Sequence, residues 1–156
     1  MKKLIAPLMI LVALMSGCRE SFKTTSEIEN NYGSNLKAGK FLFVNGVNLY
    51  YEIYGKGDPL ILLHGNGGNI EGMKYQIEYF SKNYRVIAMD CRGRGKPELG
   101  KDSLSYMQMT KDVASLLDYL HVDSTFIIGR SDGGIIAIKY DLYWRSIYEK
   151  NTPPIK

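Results

Sequence analysis

Apolar residues along this chain follow two rhythms. Three continuous apolar runs, "PLILLHG" (59–65), "YRVIAMD" (84–90) and "STFIIG" (124–129), end in glycine or aspartate and read as buried strands. Between them the spacing becomes helical. Ile70, Met73, Ile77 and Phe80 recur over 70–81, and Met109, Val113, Leu116, Leu117 and Leu120 line one face of "SYMQMTKDVASLLDYL" (105–120). Ser105 and Gln108 stand at capping-box spacing where that second helix begins. Earlier, "FLFVNGVNLYYEIYG" (41–55) is two β-prone runs split by Asn45-Gly46, a hairpin signal. After the last strand, "GGIIAIKYDLYW" (133–144) reads as a helix. Buried strands alternating with helices predict an α/β fold. Its sheet is mostly parallel, covered on both faces and entered through an N-terminal antiparallel hairpin. Right-handed crossovers, and a site at the carboxyl ends of the strands, follow as expectations.

The first residues carry a different pattern. "MKKLIAPLMILVALMSGC" has a basic start, an apolar stretch from Leu4 to Met15 and then small residues, the layout of a secretory signal. The stretch is short of the roughly 20 apolar residues that a membrane-spanning helix needs. Its end, "LMSGC", resembles the lipobox of bacterial lipoproteins, with Met15 where leucine is usual. That resemblance implies cleavage before Cys18, lipid on Cys18, and a protein anchored to a membrane of the bacterial cell envelope. Residues 19–40 are polar and aperiodic and read as a flexible tether. The expected organisation is a signal peptide over 1–17, a tether over 18–40 and a domain over 41–156.

Composition narrows the function. Of 156 residues, 45% are hydrophobic and 23% charged, as in ordinary globular domains. Net charge is +4, part of it from Lys2 and Lys3 in the leader, and the remaining basic residues are scattered. This speaks against nucleic acid as a partner. Beyond Cys18 the one remaining cysteine is Cys91, read as a packed thiol, so neither an internal disulfide nor a cysteine-rich metal site is expected.

The three buried strands are followed by "HGNGGN", "DCRGRGKPE" and "GRSDGG", which should share one edge of the sheet. Two of these loops are glycine-rich, which lets backbone approach a ligand closely. With "LLHGNGG", "VIAMDCRGRG" and "IIGRSDGG" in this order, residues 41–140 resemble the α/β-hydrolase superfamily. "SDGG" behind an apolar strand is similar to its biphenyl-hydrolase and valacyclovir-hydrolase branch. The resemblance implies an α/β-hydrolase fold with Ser131 as nucleophile on a sharp strand-to-helix elbow. It implies an oxyanion hole made by the backbone N–H groups of Asn66 and Asp132. It implies hydrolysis of small ester or amide substrates, with no metal and no organic cofactor. Asp132 also suits a helix N-cap. Arg92 is expected to bond within its own loop, and Lys96-Pro97 departs from the serine that commonly follows "RGxG" in the family.

A serine nucleophile needs a base, and the chain has two histidines, His64 and His121. His121 precedes the strand that Ser131 follows. Five residues of strand span about 16 Å, so His121 lies on the wrong edge. His64 is on the right edge, but the family's histidine at that position shapes the oxyanion loop. The family's acid and base come later, and "DLYWRSIYEKNTPPIK" offers neither, so the domain is expected to be truncated after the nucleophile-elbow helix and inactive by itself. Two rivals stay open: a non-catalytic, lipid-anchored envelope binding protein derived from the fold, and a perhydrolase or C–C bond hydrolase on the same scaffold.

Overall fold

The structure, a computed structural model, describes residues 31–100 and 104–151. The expected signal peptide, Cys18 and the tether up to residue 30 lie outside the described residues. Among those described, no helix is long and apolar enough to cross a membrane.

Five strands form one sheet: β1 (Gly39–Val44), β2 (Val47–Tyr54), β3 (Pro59–Leu63), β4 (Arg85–Met89) and β5 (Phe126–Gly129). Their order is β1-β2-β4-β3-β5. β2 pairs antiparallel with β1 and with β4, whereas β3 pairs parallel with β4 and β5. The mostly parallel sheet behind an antiparallel hairpin is therefore as expected from the sequence. The hairpin turns where the sequence placed it, with Asn45 at φ 47° and Gly46 at φ 75°. Two consecutive positive φ values define the tight turn whose twist matches the flanking strands.

Among the described residues, three α-helices cover the sheet: α1 (Lys74–Phe80), α2 (Tyr106–Tyr119) and α3 (Asp132–Asn151). The apolar spacing over 70–81 splits into a single 3-10 turn, Glu71–Met73, and α1. Ile70, Met73 and Ile77 are buried as their spacing required. At the start of α2 the Ser105 hydroxyl accepts the Gln108 N–H at 3.1 Å, the N-cap bond predicted from the sequence.

Strand alternation sorts the core into two layers. Leu49, Tyr51, Ile61, Leu63, Ile87 and Met89 form one cluster with Met109, Val113, Leu116, Leu117 and Ile136 of α2 and α3. Leu60, Leu62, Val86 and Ala88 alternate with them and are buried on the opposite face.

Three expectations need correction. Order begins before residue 41, because residues 31–38 are pinned to β2. The fully buried Glu52 carboxylate accepts the N–H groups of Gly33 (2.8 Å) and Asn35 (3.0 Å) and the hydroxyls of Tyr50 (2.7 Å) and Tyr54 (2.8 Å). Four donors satisfy a charge that burial would otherwise penalise, and both tyrosine hydroxyls are pushed well above the ordinary range by burial and by this carboxylate. Next, β5 is not fully buried: it is an edge strand of the described sheet, with Phe126 exposed and Ile127, Ile128 and Gly129 half-buried. Finally, the Arg92 guanidinium bonds outside its loop. It reaches α2 and grips the buried Asp112 at 2.5 and 2.7 Å, with a further, part-buried bond to the Asn45 carbonyl in the hairpin turn.

Candidate active site

The loops after β3, β4 and β5 meet at the carboxyl edge of the sheet. Register fixes the two that matter most: Leu63 at the end of β3 lies opposite Gly129 at the end of β5, and the Arg130 N–H donates to the Leu63 carbonyl at 3.0 Å. The loop after β3 and the elbow after β5 therefore start side by side.

Ser131 occupies the turn between β5 and α3 at φ 51°, a left-handed conformation. For a non-glycine residue this costs energy, and the surrounding structure must hold it. The glycines around it show how. A side chain on Gly133 would sit 2.2 Å from the Leu63 carbonyl oxygen, and one on Gly129 would sit 2.2 Å from the Gly133 carbonyl oxygen. The first turn of α3 is thus packed backbone to backbone against β3 and β5, which forces the chain through a sharp reversal at Ser131. Gly65 closes the arrangement from the other side: a Cβ there would lie 3.1 Å from the Arg130 carbonyl oxygen and 3.2 Å from the Ser131 Cβ. The serine itself is exposed.

A polar cavity of about 390 Å³ opens over this point, lined by His64, Gly65, Asn66, Gly68, Arg130 and Ser131 among others. Among the described residues, the backbone N–H groups of Asn66 and Asp132 donate to no carbonyl or side chain. Some nearby donors are spent, Gly68 on the Gly65 carbonyl, Gly133 on that of Arg130, and Gly134 and Ile135 on that of Ser131, whereas Gly67 and Ser131, like Asn66 and Asp132, donate to no acceptor among the described residues. Unspent backbone donors near an exposed hydroxyl are what binding a developing oxyanion requires.

His64 is buried, and both of its ring nitrogens are engaged. Nδ1 lies 2.8 Å from the Gly65 carbonyl oxygen, and Nε2 accepts the Cys91 N–H at 3.0 Å. A carbonyl only accepts, so Nδ1 carries the proton and Nε2 is the acceptor. The imidazole is a neutral strut that joins the loops after β3 and β4, with no lone pair left for Ser131. His121 has φ 53° just past α2 and lies at the opposite end of β5 from Ser131. Neither histidine of the sequence is placed as a base.

The loop after β4 supports the site rather than entering it. The Asp90 carboxylate accepts the N–H groups of Ile70 (2.7 Å) and Lys96 (3.1 Å). Burial raises its affinity for a proton, and these two bonds oppose the shift. Cys91 is buried, and burial pushes its thiol up to about 12, so it is an inert packing residue.

Sequence reasoning missed the partners of the Asp132 side chain. The Asp132 carboxylate is held by the Arg94 guanidinium (Nη1 to Oδ2, 3.0 Å) and by the Tyr106 hydroxyl (to Oδ1, 3.0 Å). These partners hold its proton affinity below the usual aspartate range, Arg94 first and Tyr106 second. Asp132 thus does not spend its side chain as an N-cap; it ties the elbow to the loop after β4 and to α2. Among the described residues, no group of three or more His, Cys, Asp or Glu side chains could hold a metal ion.

Comparison with known proteins agrees with this fold. A family model described as the alpha/beta hydrolase fold matches residues 58–141. The AB hydrolase superfamily protein YisY of Bacillus subtilis is 35% identical over 95 residues, 60% of this chain and 35% of that protein. The soluble epoxide hydrolase of a Corynebacterium species is 31% identical over 107 residues, 69% of this chain and 37% of that protein. A solved carboxylesterase structure from the ammonia-oxidizing thaumarchaeon Nitrososphaera gargenis superimposes with a TM-score of 0.64 at 35% identity, covering 67% of this chain and 40% of that one. The chain spans little more than a third of the length of the curated relatives it matches.

Proposed function

The chain belongs to the α/β-hydrolase family, and from that premise we propose that it supplies the nucleophile and oxyanion hole of a serine hydrolase acting on small esters or amides. The observation that carries the reading is the elbow itself: Ser131 held at φ 51°, exposed, and flanked by the unspent N–H groups of Asn66 and Asp132. In the proposed reaction Ser131 Oγ attacks the acyl carbon. The carbonyl oxygen becomes an oxyanion that accepts from these two N–H groups, the alcohol or amine leaves with a proton, and water releases the acyl group. The hydroxyl proton must pass to a base, and neither His64 nor His121 is available to take it. By itself the chain is therefore a poor catalyst, because an unassisted serine hydroxyl is a weak nucleophile at neutral pH. Its proposed place is the bacterial cell envelope, held to a membrane by lipid on Cys18.

Chemical rescue tests the reading. Without added base, the chain and its Ser131→Ala variant hydrolyse a short p-nitrophenyl ester at indistinguishable rates. With imidazole added in increasing amounts, the unaltered chain gains a rate that Ser131→Ala lacks, because the exposed hydroxyl then has a base in reach. Identical imidazole responses would overturn the assignment of Ser131. They would favour the second reading, a non-catalytic binding module, which draws its support from the engagement of both His64 ring nitrogens.

A further inference from the structure

At the edge of the sheet away from Ser131, one face of the hairpin is uncovered. Cross-strand partners share a face, and the register pairs Phe41 with Tyr50 and Phe43 with Asn48. Leu42 and Val44 point the other way and pack against the core. Phe41 and Phe43 are left 59% and 70% exposed, on the same face as Tyr50 and Glu52. The segment 31–38 is tied to that face through Glu52, and at its tip Leu36 is 95% exposed. These are three large apolar side chains within eight residues at the start of the described domain.

Basic residues border them. Lys37 is exposed beside Leu36, and the Lys96 ammonium stands 3.8 Å from the centre of the Tyr50 ring, which packs against Phe41 with ring centres 5.0 Å apart. A hollow of about 470 Å³ runs between Phe41, Phe43, Lys96 and Glu98, in which Glu98 is the one acidic lining residue. We propose that this face, formed by Leu36, Phe41 and Phe43 with Lys37 and Lys96, is a membrane-contact surface that rests on an anionic phospholipid bilayer.

Two observations favour a bilayer over a protein partner. Leu36 projects almost wholly into solvent, as a side chain that enters a soft interface does, and it leaves no flat, matched patch for a protein to cover. Lys37 and Lys96 also border the apolar residues, and lysine stems lie along apolar surface while their ammonium groups meet phosphate. Aromatic rings suit the same depth. The position is consistent: the stretch between Cys18 and Asn31 cannot carry the domain more than about 50 Å from a lipid on Cys18, even fully extended. The surface itself is argued from exposure and sidedness and does not require that lipid.

The test uses the full chain with phospholipid vesicles whose acyl chains are brominated, because bromine quenches tryptophan on contact. The sequence has one tryptophan, Trp144, on α3 at the other edge of the sheet. The variant Phe43→Trp in a Trp144→Phe background moves the probe to the proposed surface. Both proteins carry the same residues 1–30, so attachment through those residues is common to both. On vesicles containing phosphatidylglycerol, emission from the variant should fall by about twofold or more while the native Trp144 changes little, as expected of a side chain at acyl depth. Lys37→Glu with Lys96→Glu should reduce the quenching. Phe41→Trp in the same background should reproduce it should Phe43→Trp fold poorly. Equal quenching at both sites, or none at either hairpin position, would overturn the proposal. So would a concentration-dependent dimer that shields the hairpin probe from lipid, which would assign the face to a second copy.

Discussion

Arg94 reaches from the loop after β4 to Asp132, the residue that follows Ser131, and holds its carboxylate at 3.0 Å. The same carboxylate accepts the Tyr106 hydroxyl. One oxyanion donor of the proposed site is thus the backbone N–H of a residue whose side chain is fixed from two other elements. Asp132 is held below the ordinary aspartate range, first by Arg94 and then by Tyr106. A depressed carboxyl value stabilises the fold above the unfolded-state value, and that contribution disappears as pH falls through the folded one. The clamp should therefore be intact at neutral pH and open only below about pH 4, the unperturbed aspartate region. Hydrogen exchange at Gly133 and Gly134, whose N–H groups bond to Arg130 and Ser131, reports it. Arg94→Ala should speed exchange there about tenfold at neutral pH, with Arg94→Lys restoring part of the protection, as for a local opening rather than global unfolding. Unchanged exchange in Arg94→Ala would show that the clamp does no positioning.

Two adjacent glycines of the elbow should respond in opposite ways. Gly133→Ala places a Cβ 2.2 Å from the Leu63 carbonyl oxygen, a backbone atom that cannot swing aside. Overpacking of this kind costs about 3 kcal/mol or prevents folding. At Gly134 a Cβ meets the Gly129 carbonyl oxygen at 3.5 Å, an ordinary contact, and the residue is helical. Gly134→Ala should then be neutral or stabilise by about 0.5–1 kcal/mol through helix propensity. Urea unfolding midpoints of the two variants give the comparison.

Much of this was legible in the sequence, and what was not has a physical reason. Continuous apolar runs, the Asn45-Gly46 turn and the Ser105 cap are local signals, and each lies where its pattern placed it. The elbow was legible because the packing of Gly129 and Gly133 demands glycine at fixed offsets from Ser131. Non-local pairings carry no such mark. Nothing in "SEIENNYGSNLKAGK" announces that its backbone will donate to Glu52, and nothing in "RGRG" separates Arg92, which turns to Asp112, from Arg94, which turns to Asp132. β5 misled for a related reason: an apolar run looks the same whether a strand flanks it on one side or on both.

The pair Arg92–Asp112 should behave as a buried ion pair. Both side chains are essentially inaccessible and joined by two hydrogen bonds. Removing the carboxylate strands a guanidinium in the core, at a cost of about 3–5 kcal/mol. Asp112→Ala should therefore lower the urea midpoint far more than Arg94→Ala, although both break an arginine–aspartate pair. Equal effects would contradict the burial argument.

Lipid attachment at Cys18 rests on "LMSGC" behind an apolar stretch. Metabolic labelling with a palmitate analogue should tag the unaltered protein and leave Cys18→Ala unlabelled. Equal labelling of both would remove the lipoprotein reading, while the hairpin surface would still stand or fall on its own quenching test.

The opposite edge of the sheet should limit solubility. β5 pairs only with β3 in the described sheet. Beside it, Ile127, Ala137, Ile138, Tyr140, Leu142 and Trp144 line an open apolar cleft of about 820 Å³. Ile138 and Leu142 are 65% and 59% exposed, so their removal from the surface costs no core contact. An unpaired strand edge next to a continuous apolar face is a template for other chains. Ile138→Lys combined with Leu142→Glu puts charge of both signs on the face without changing net charge. The double variant should stay monomeric by light scattering at concentrations where the unaltered chain associates. Its thermal midpoint should remain within a few degrees, since exposed substitutions alter stability by only about 0.5 kcal/mol. Association undiminished in the double variant would move the cause elsewhere, and the uncovered hairpin face with Phe41 and Phe43 would be the next surface to charge.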